Sequence, residues 1–593
     1  MIGRRSPISA LVYVTGSSIS FFVGSALYGT FSATGLRQIL MASLVFLVLN
    51  LVCYPLLEQA LSRSYVQRVL VTLLSGLSVI ALLGWIPGAS LASATILSGV
   101  VAAGLGGEIT RTTERWLRSR DSAPESRPKS VLVVGAGEAG EMLLRQVQHQ
   151  PGLYREVVGF LDDDPEKQGE YINGDSPVLG KTDDLVPVCR DHDVDEVIIA
   201  MPSVDGEVIR SVISQRSSLN ADMRIVPGIK DIIEGDFRWN QIRPVKPEDL
   251  LGRETVEVDR SRLGDFLRGK TVLVTGAAGS IGSYLVQHLL EHPVSSVVGL
   301  DFNESNLYEL EVSELNQSKR SRFSGVLSDV RDAESCREVI AKHKPDVVLH
   351  AAALKHVPMV ERHPLEGIKT NVKGCINVFE AVAGEDVEHC LLISTDKAVN
   401  PKNVMGYTKK MGERLVATYQ RTTDDTRYAA VRFGNVLGSR GSVVPLFKRQ
   451  IEDGGPVTVT DPEMVRYFMT PSEAVKLVLT AASFDHHGST YVLDIGDPIS
   501  IMDLAHQLIA LMGYEPETDI PIEIVGLREG ESLEETLWSD DVSPERTDHS
   551  KIRRIDASPL SEETLNSFRA FLSSPPKDSK QLIETFKNHL FQS

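Results

Sequence analysis

The chain has 593 residues, 42% hydrophobic and 24% charged, with 61 Lys and Arg against 79 Asp and Glu and a net charge of −18. That length is too great for one domain and is enough for three. Residues 1–120 carry nine Arg and three Glu, a balance of +6, so the rest carries −24, which argues against nucleic acid as the main partner.

The chain opens on apolar runs. No charge lies between Arg5 and Arg37, so residues 8–31 could cross a bilayer as one helix. Residues 38–57 form a second uncharged run. The 39 uncharged residues between Arg68 and Glu108 are divided by Pro87-Gly88 into 69–86 and 89–107. In this four-span arrangement Arg4, Arg5, Arg63, Arg68, Arg111, Arg115, Arg118 and Arg120 share one side, with Arg37 on the other. The positive-inside rule then puts both ends in the cytoplasm. No Asp, Glu, Lys, Arg or His falls within a span, so residues 1–117 read as an anchor in the lipid bilayer and not as a transport path. The expectation is a multi-pass protein of the inner (cytoplasmic) membrane with its catalytic domain in the cytoplasm.

Residues 118–129 form a polar, proline-containing linker. Ser130-Val-Leu-Val-Val134, Gly135-Ala-Gly-Glu-Ala-Gly140 and a helical run to about His149 then make a strand–glycine–helix unit. Further strands are predicted at Val157-Val-Gly-Phe-Leu161, Glu196-Val-Ile-Ile-Ala200 and Met223-Arg-Ile-Val226. Residues 130–250 thus read as a Rossmann-like module. Asp162, Asp163 and Asp164 at its second strand end would repel a phosphate unless a base intervened, which favours a scaffold over a second nucleotide site.

Residues 251–593 carry the chemistry. The strand Thr271-Val-Leu-Val-Thr275 leads into Gly276-Ala-Ala278-Gly279-Ser280-Ile281-Gly282 and a helix, and a second strand ends on Asp301, 25 residues after Gly276. Glycines let the backbone approach a pyrophosphate at the helix start, and the acid accepts from an adenosine ribose. With no Arg near Asp301 in sequence, NAD is expected over NADP. The strand Phe323-Ser-Gly-Val-Leu327 delivers Asp329 and Val330, where a side chain could meet the adenine. Asp346-Val-Val-Leu-His350 delivers the small residues Ala351, Ala352 and Ala353, Asn371 opens the next helix, and Cys390-Leu-Leu-Ile-Ser394 delivers Thr395, Asp396 and Lys397. In an open parallel sheet, that carboxyl edge is where ligands bind.

Gly276-x-x-Gly279-x-x-Gly282, His350-Ala-Ala-Ala353, Asn371-x-x-Gly374 and Ser394-Thr-Asp-Lys397 resemble an extended short-chain dehydrogenase/reductase. Four further stretches, Leu354-Lys-His-Val-Pro358, Thr395-Asp-Lys-Ala-Val-Asn-Pro401, Arg432-Phe-Gly-Asn-Val-Leu-Gly-Ser-Arg440 and Asp461-Pro-Glu-Met-Val-Arg466, resemble the 4,6-dehydratases of UDP-N-acetylglucosamine. With the apolar runs and the middle module, the whole chain resembles that family's membrane-attached branch, which serves polysaccharide and glycoprotein synthesis. The resemblance implies an α/β architecture: a four-helix membrane anchor, then two doubly wound domains, the second bearing a small C-terminal substrate lobe. It also implies NAD as cofactor, and a homo-oligomer is expected.

Such a reaction moves hydride from C4 of the sugar to C6 and removes water across C5 and C6, so it needs proton handlers at the C4 hydroxyl, C5 and the C6 hydroxyl. The family pattern implies Asp396 as the acid toward C6 and Lys397 as the base at C5. The superfamily's usual base is a Tyr four residues before a Lys; here Lys409 is preceded by Met405, whose thioether takes no proton at neutral pH. Tyr407 sits roughly 200° around the helix from Met405 and is no substitute. Thr395 is therefore the expected relay at C4, with Lys409 holding the nicotinamide ribose. Asn435, Arg440, Arg466 and Arg528 are candidate donors to the substrate pyrophosphate, since the Arg fork meets phosphate oxygens in pairs. Glu531 matches the family's acid at the uridine ribose, and Lys355 and His356 are assigned to the substrate side without a role.

The alternatives are a nucleotide-sugar 4-epimerase, which has no use for the Asp396-Lys397 pair, and an inactive scaffold, for which Met405 is the only support. The cysteines Cys53, Cys189, Cys336, Cys375 and Cys390 show no metal-ligand spacing; they read as buried apolar side chains in a reducing compartment, and no metal is expected.

Overall fold

Short runs of Val, Ile and Leu form the centres of two sheets, because a strand covered on both faces must be apolar throughout. In the first sheet β1 (Lys129–Val134) is flanked by β2 (Arg155–Leu161), beyond which lie β3 (Tyr171–Ile172) and β4 (Ser176–Gly180). On its other side stand β5 (Glu196–Ile199), β6 (Asp222–Ile225) and β7 (Arg243–Pro244), giving the order β3-β4-β2-β1-β5-β6-β7. The computed structural model describes residues 127–593 apart from 154, 202–205, 227–238, 240–241, 252–257, 424, 486–487, 529 and 592–593.

The second sheet begins with β8 (Thr271–Thr275), β9 (Ser296–Asp301) and β10 (Phe323–Leu327). It continues through β11 (Val347–His350), β12 (His389–Ile393), β13 (Arg427–Arg432) and β14 (Ser489–Leu493), and closes with β15 (Glu545–Arg546) and β16 (Ile552–Asp556). The order is β10-β9-β8-β11-β12-β13-β14-β16-β15; the first seven run parallel, β16 is antiparallel to β14, and β15 is antiparallel to β16. Winding reverses between β8 and β11, where Thr275 pairs with His350, and that reversal opens a ligand crevice at the strand ends. The expected α/β class and Rossmann-like winding are observed.

After β13 the chain makes three short pairs: Asn435–Val436 with Phe468–Met469, Val457–Val459 with Ile522–Ile524, and Val465–Arg466 with Ile499–Ser500. With the helices Val443–Glu452 and Ile501–Leu511 they form a lobe that shares a core with the first sheet. Phe447, Leu504 and Leu508 belong to the same buried cluster as Leu132, Val197, Ile209 and Val212.

The expected anchor, residues 1–117, lies outside the described residues, and so does Cys53. The multi-pass membrane placement is withdrawn. Among the described residues no helix is long and apolar enough to cross a membrane. The longest of them, Val404–Thr422, carries Lys409, Lys410, Glu413 and Arg414 within its length.

Beneath the carboxyl end of the second sheet, Glu413 and Arg432 form a forked ion pair, Nη2 to Oε2 at 2.6 Å and Nε to Oε1 at 3.0 Å, with both side chains at most 2% exposed. Burial works to raise the Glu413 carboxyl, and the Arg432 charge overrides it, holding Glu413 below the usual carboxylate range. Ser394 at the end of β12 donates to Glu413 at 2.8 Å, and Arg432 Nη1 donates to the Leu537 carbonyl at 2.9 Å. Removing one member strands the other in the core. Glu413→Ala should therefore cost about 3–5 kcal/mol of stability in a urea melt.

Candidate active site

The cofactor end of the site is delivered by strand ends of the second sheet. β8 runs into Gly276, whose φ of +64° lies in the left-handed region and where a Cβ would meet the Ala352 backbone at 2.7 Å. A Cβ on Gly282 would lie 2.0 Å from the Gly276 carbonyl oxygen. The turn thus closes directly on the helix Ser280–Leu289, whose N-cap Gly279 offers no side-chain bond to the first amides. Free amides at a helix start beside a cavity fit a pyrophosphate. Asp301, 6% exposed at the end of β9, accepts the Ala278 and Asn303 N–H groups at 2.9 Å each, and its remaining lone pairs suit ribose hydroxyls.

These residues line one continuous cavity of about 1050 Å³ together with Ser280, Ile281, Asp329, Val330, Ala351, Ala352 and Ala353. Arg331 also lines it, but its guanidinium is bound by Asp329 at 2.6 Å and Glu366 at 2.8 Å. That leaves no free charge for a second phosphate on the ribose, so the cofactor end fits NAD. At the sheet reversal His350 is buried, with Nδ1 2.6 Å from Thr275 Oγ1. Burial and then the Lys409 charge lower it to about 3, so this ring is neutral.

The same cavity is lined by Thr395, Lys397, Met405, Lys409, Lys355, His356, Asn435, Arg440, Arg466, Arg528 and Glu531. Lys409 Nζ donates to the Ile393 carbonyl at 2.9 Å, and burial lowers its amine to about 8. Met405 shares a small apolar cluster with Val360 and Val404, while Tyr407 turns to the C-terminal helix, against Phe591 and Lys587. Tyr407 is thus held away from the chemistry.

Three expected site residues are placed differently from their assignments. Asn371 does not line the cavity: its amide is spent on both backbone groups of Leu354 (2.7 and 3.0 Å) and on Thr408 (2.9 Å), so it shapes the wall behind Ala353. Asp396 is 1% exposed and also lies behind the wall. Its Oδ1 accepts from Thr395 Oγ1 at 2.8 Å and from Lys397 Nζ at 3.1 Å. Arg466, 8% exposed, gives its guanidinium to the carbonyls of Val465, Leu533 and Ser532 at 2.6–2.8 Å, and so organises a loop instead of standing free for a phosphate. Arg440 reaches the glycine turn, donating from Nη1 to the Ala278 carbonyl and from its backbone to Ser280 Oγ, both at 3.1 Å. His356 packs over Gly441, where a Cβ would lie 2.6 Å from its ring.

Glu535 is the residue that sequence reading missed. Its Oε2 lies 2.6 Å from Lys397 Nζ and its Oε1 3.5 Å from Arg466 Nε. Lys397 also donates to Asn435 Oδ1 at 3.2 Å, so its ammonium sits between two carboxylates and an amide oxygen. Burial lowers the amine, but the Asp396 and Glu535 charges override this and hold Lys397 above its usual value. Burial pushes Glu535 up to about 7 against the Lys397 charge. The only sequence signal was an acid four residues after Glu531.

Residues 272–557 match the family model described as "Polysaccharide biosynthesis protein", and residues 94–227 match that of a CoA-binding domain. The chain is similar to the capsular polysaccharide biosynthesis protein CapD of Staphylococcus aureus, 41% identical over 437 residues that cover 73% of this chain and 72% of that one. It is 37% identical over 281 residues to a UDP-N-acetylglucosamine 4,6-dehydratase (inverting) of Campylobacter jejuni, covering 47% of this chain and 80% of the relative. A UDP-glucose 4-epimerase of Rickettsia massiliae is 34% identical over 328 residues, covering 54% of this chain and 91% of its own.

The glycine turn makes a direct prediction. Gly282→Ala forces a Cβ against the Gly276 carbonyl, an overpacking worth about 1–3 kcal/mol. The purified variant should bind the dinucleotide about tenfold or more weakly, read by titration of the stripped protein.

Proposed function

Because the chain belongs to the polysaccharide-biosynthesis family of extended short-chain dehydrogenases/reductases, whose activity is of the nucleotide-sugar dehydratase or epimerase type, we propose that it is a UDP-N-acetylglucosamine 4,6-dehydratase. The observation that carries this reading is the Thr395–Asp396–Lys397 cluster. It sets a hydroxyl and an amine on the cavity wall with a carboxylate behind them, and a 4-epimerase has no step that uses such an acid–base pair. The cofactor is NAD, which when bound accepts the C4 hydride of the sugar and returns it at C6.

The chain's own residues handle the protons. Thr395 presents the one hydroxyl of this cluster to the cavity, with Asp396 2.8 Å behind it. Thr395 takes the proton of the C4 hydroxyl and passes its own to Asp396, so no tyrosine is needed where Met405 stands. Asp396 then holds that proton and returns it, through the same hydroxyl, to the C6 oxygen as it departs as water. O4 and O6 lie on neighbouring carbons of C5, so one relay reaches both. Lys397 works at C5. Burial works to raise the Asp396 carboxyl, and the Lys397 charge overrides it, so Asp396 starts ionised and ready to receive.

Lys409, fixed by the Ile393 carbonyl, keeps its other N–H groups for the nicotinamide ribose. Arg440 and Arg528 are the guanidinium groups assigned to phosphate. Glu531, which accepts the Arg528 backbone N–H at 3.1 Å, is assigned to the uridine ribose.

The purified full chain incubated with UDP-N-acetylglucosamine should yield a 4-keto sugar nucleotide lighter by one water, seen by mass and NMR. A product that is only the 4-epimer rejects the dehydratase reading. Thr395→Val should lower turnover by about 100-fold or more at little change in KM. A variant that turns over at the full rate rejects the relay.

A further inference from the structure

Lys397 poses a difficulty for the chemistry just described. A base at C5 needs a free lone pair, yet this amine is an ammonium held between Asp396 and Glu535. Its proton must leave before it can act, and Asp396 is committed to the proton arriving from Thr395. Glu535 makes the shorter contact, 2.6 Å against 3.1 Å, and belongs to a loop that Arg466 fastens through the Ser532 and Leu533 carbonyls. Its side chain is only 10% exposed, so water does not compete freely for it.

We propose that Glu535 is the proton store of Lys397, a positioning residue that takes the ammonium proton across the 2.6 Å contact and leaves a neutral amine for the sugar C5–H. This rests on the dehydratase reading above. The proton balance closes. An N–H bond of Lys397 breaks and an O–H bond forms on Glu535. The amine lone pair then takes the C5 proton, and the C5–H electrons become the C5–C6 double bond as the C6–O bond breaks. The departing oxygen leaves as water with the proton held by Asp396. Once C6 is reduced, Lys397 gives its proton back to C5 and Glu535 returns its own to Lys397.

The groups around Glu535 suit this exchange. Asp396, Lys397 and Arg466 are the charged side chains that act on it. Burial raises Glu535 to about 7, whereas Asp396 is held below the usual carboxylate range, so of the two acids Glu535 has the greater proton affinity. As an acceptor it must be ionised. Turnover should therefore rise with pH through about 7.

The test uses the full-length holoenzyme with UDP-N-acetylglucosamine. Glu535→Gln keeps an oxygen for Lys397 but cannot take a proton. Its kcat should fall about 100-fold with KM little changed. The limb near pH 7 should disappear, and the near-ultraviolet absorbance of reduced dinucleotide should build up, because C4 oxidation does not call on Lys397. Deuterium uptake at C5 from heavy water should slow in parallel, and Glu535→Asp should restore part of the rate. A Glu535→Gln enzyme with wild-type kcat and the same pH limb overturns the inference. So does a wild-type kcat that is flat from about pH 6 to 8, a measurement that needs no variant. Wild-type enzyme giving only the 4-epimer overturns the dehydratase reading and this inference with it. Dehydration by the wild type, matched by an unimpaired Glu535→Gln, overturns the inference alone.

Discussion

The buried Glu413–Arg432 pair is the contact on which the site's geometry depends. Its two members come from the helix Val404–Thr422 and from β13, and their spare bonding capacity goes to Ser394 and the Leu537 carbonyl. Three segments distant in sequence are thereby joined at one point: the β12 end that continues into Thr395, the helix that carries Met405 and Lys409, and the return segment that carries Glu535. Such a pair is weak evidence for net stability, since desolvation offsets much of its attraction. Its value is positional. A fork of two short bonds fixes direction as well as distance, and an apolar pair of the same volume would not.

The fold was largely legible in the sequence because its signals are local. Thr271–Thr275 and Phe323–Leu327 are strands over the residues predicted, and β12 begins one residue early. Buried parallel strands are written in consecutive β-branched and aliphatic residues, and a glycine turn with an acid at the next strand end needs no long-range information. The described cysteines, Cys189, Cys336, Cys375 and Cys390, are buried. The apolar runs before residue 117 fall outside the described residues.

The site was legible only in part, and the failures share a cause. Residue type shows what a side chain can do, but its contacts decide what is left for it to do. Asn371 could hold a cofactor, yet its amide is consumed by Leu354 and Thr408. Arg466 has the fork for a phosphate, yet three carbonyls occupy it. Glu535 meets Lys397 across 138 residues of sequence, a separation that no spacing rule reaches. The Thr395-Asp396-Lys397 run could be read as a cluster because adjacency guarantees proximity. Its order in depth, hydroxyl in front and carboxylate behind, is a matter of rotamers and burial.

In the proposed relay, that order in depth also accounts for Met405. A tyrosine base works by reaching the C4 hydroxyl from the helix that carries Lys409. Here the apolar Met405 lies with Val360 and Val404, and the proposed relay runs along the β12 end instead. The arginines are divided by the same logic. Arg440 crosses to the glycine turn through Ala278 and Ser280, Arg466 fastens the loop before Glu535, and Arg528 is left exposed at the rim. The acid with raised proton affinity belongs to the loop that Arg466 fastens, and the lysine it touches belongs to the turn that follows β12. The two proposed proton transfers, Thr395 to Asp396 and Lys397 to Glu535, therefore lie where the β12 end meets that loop, and they depend on Arg432 and Arg466 holding the two together.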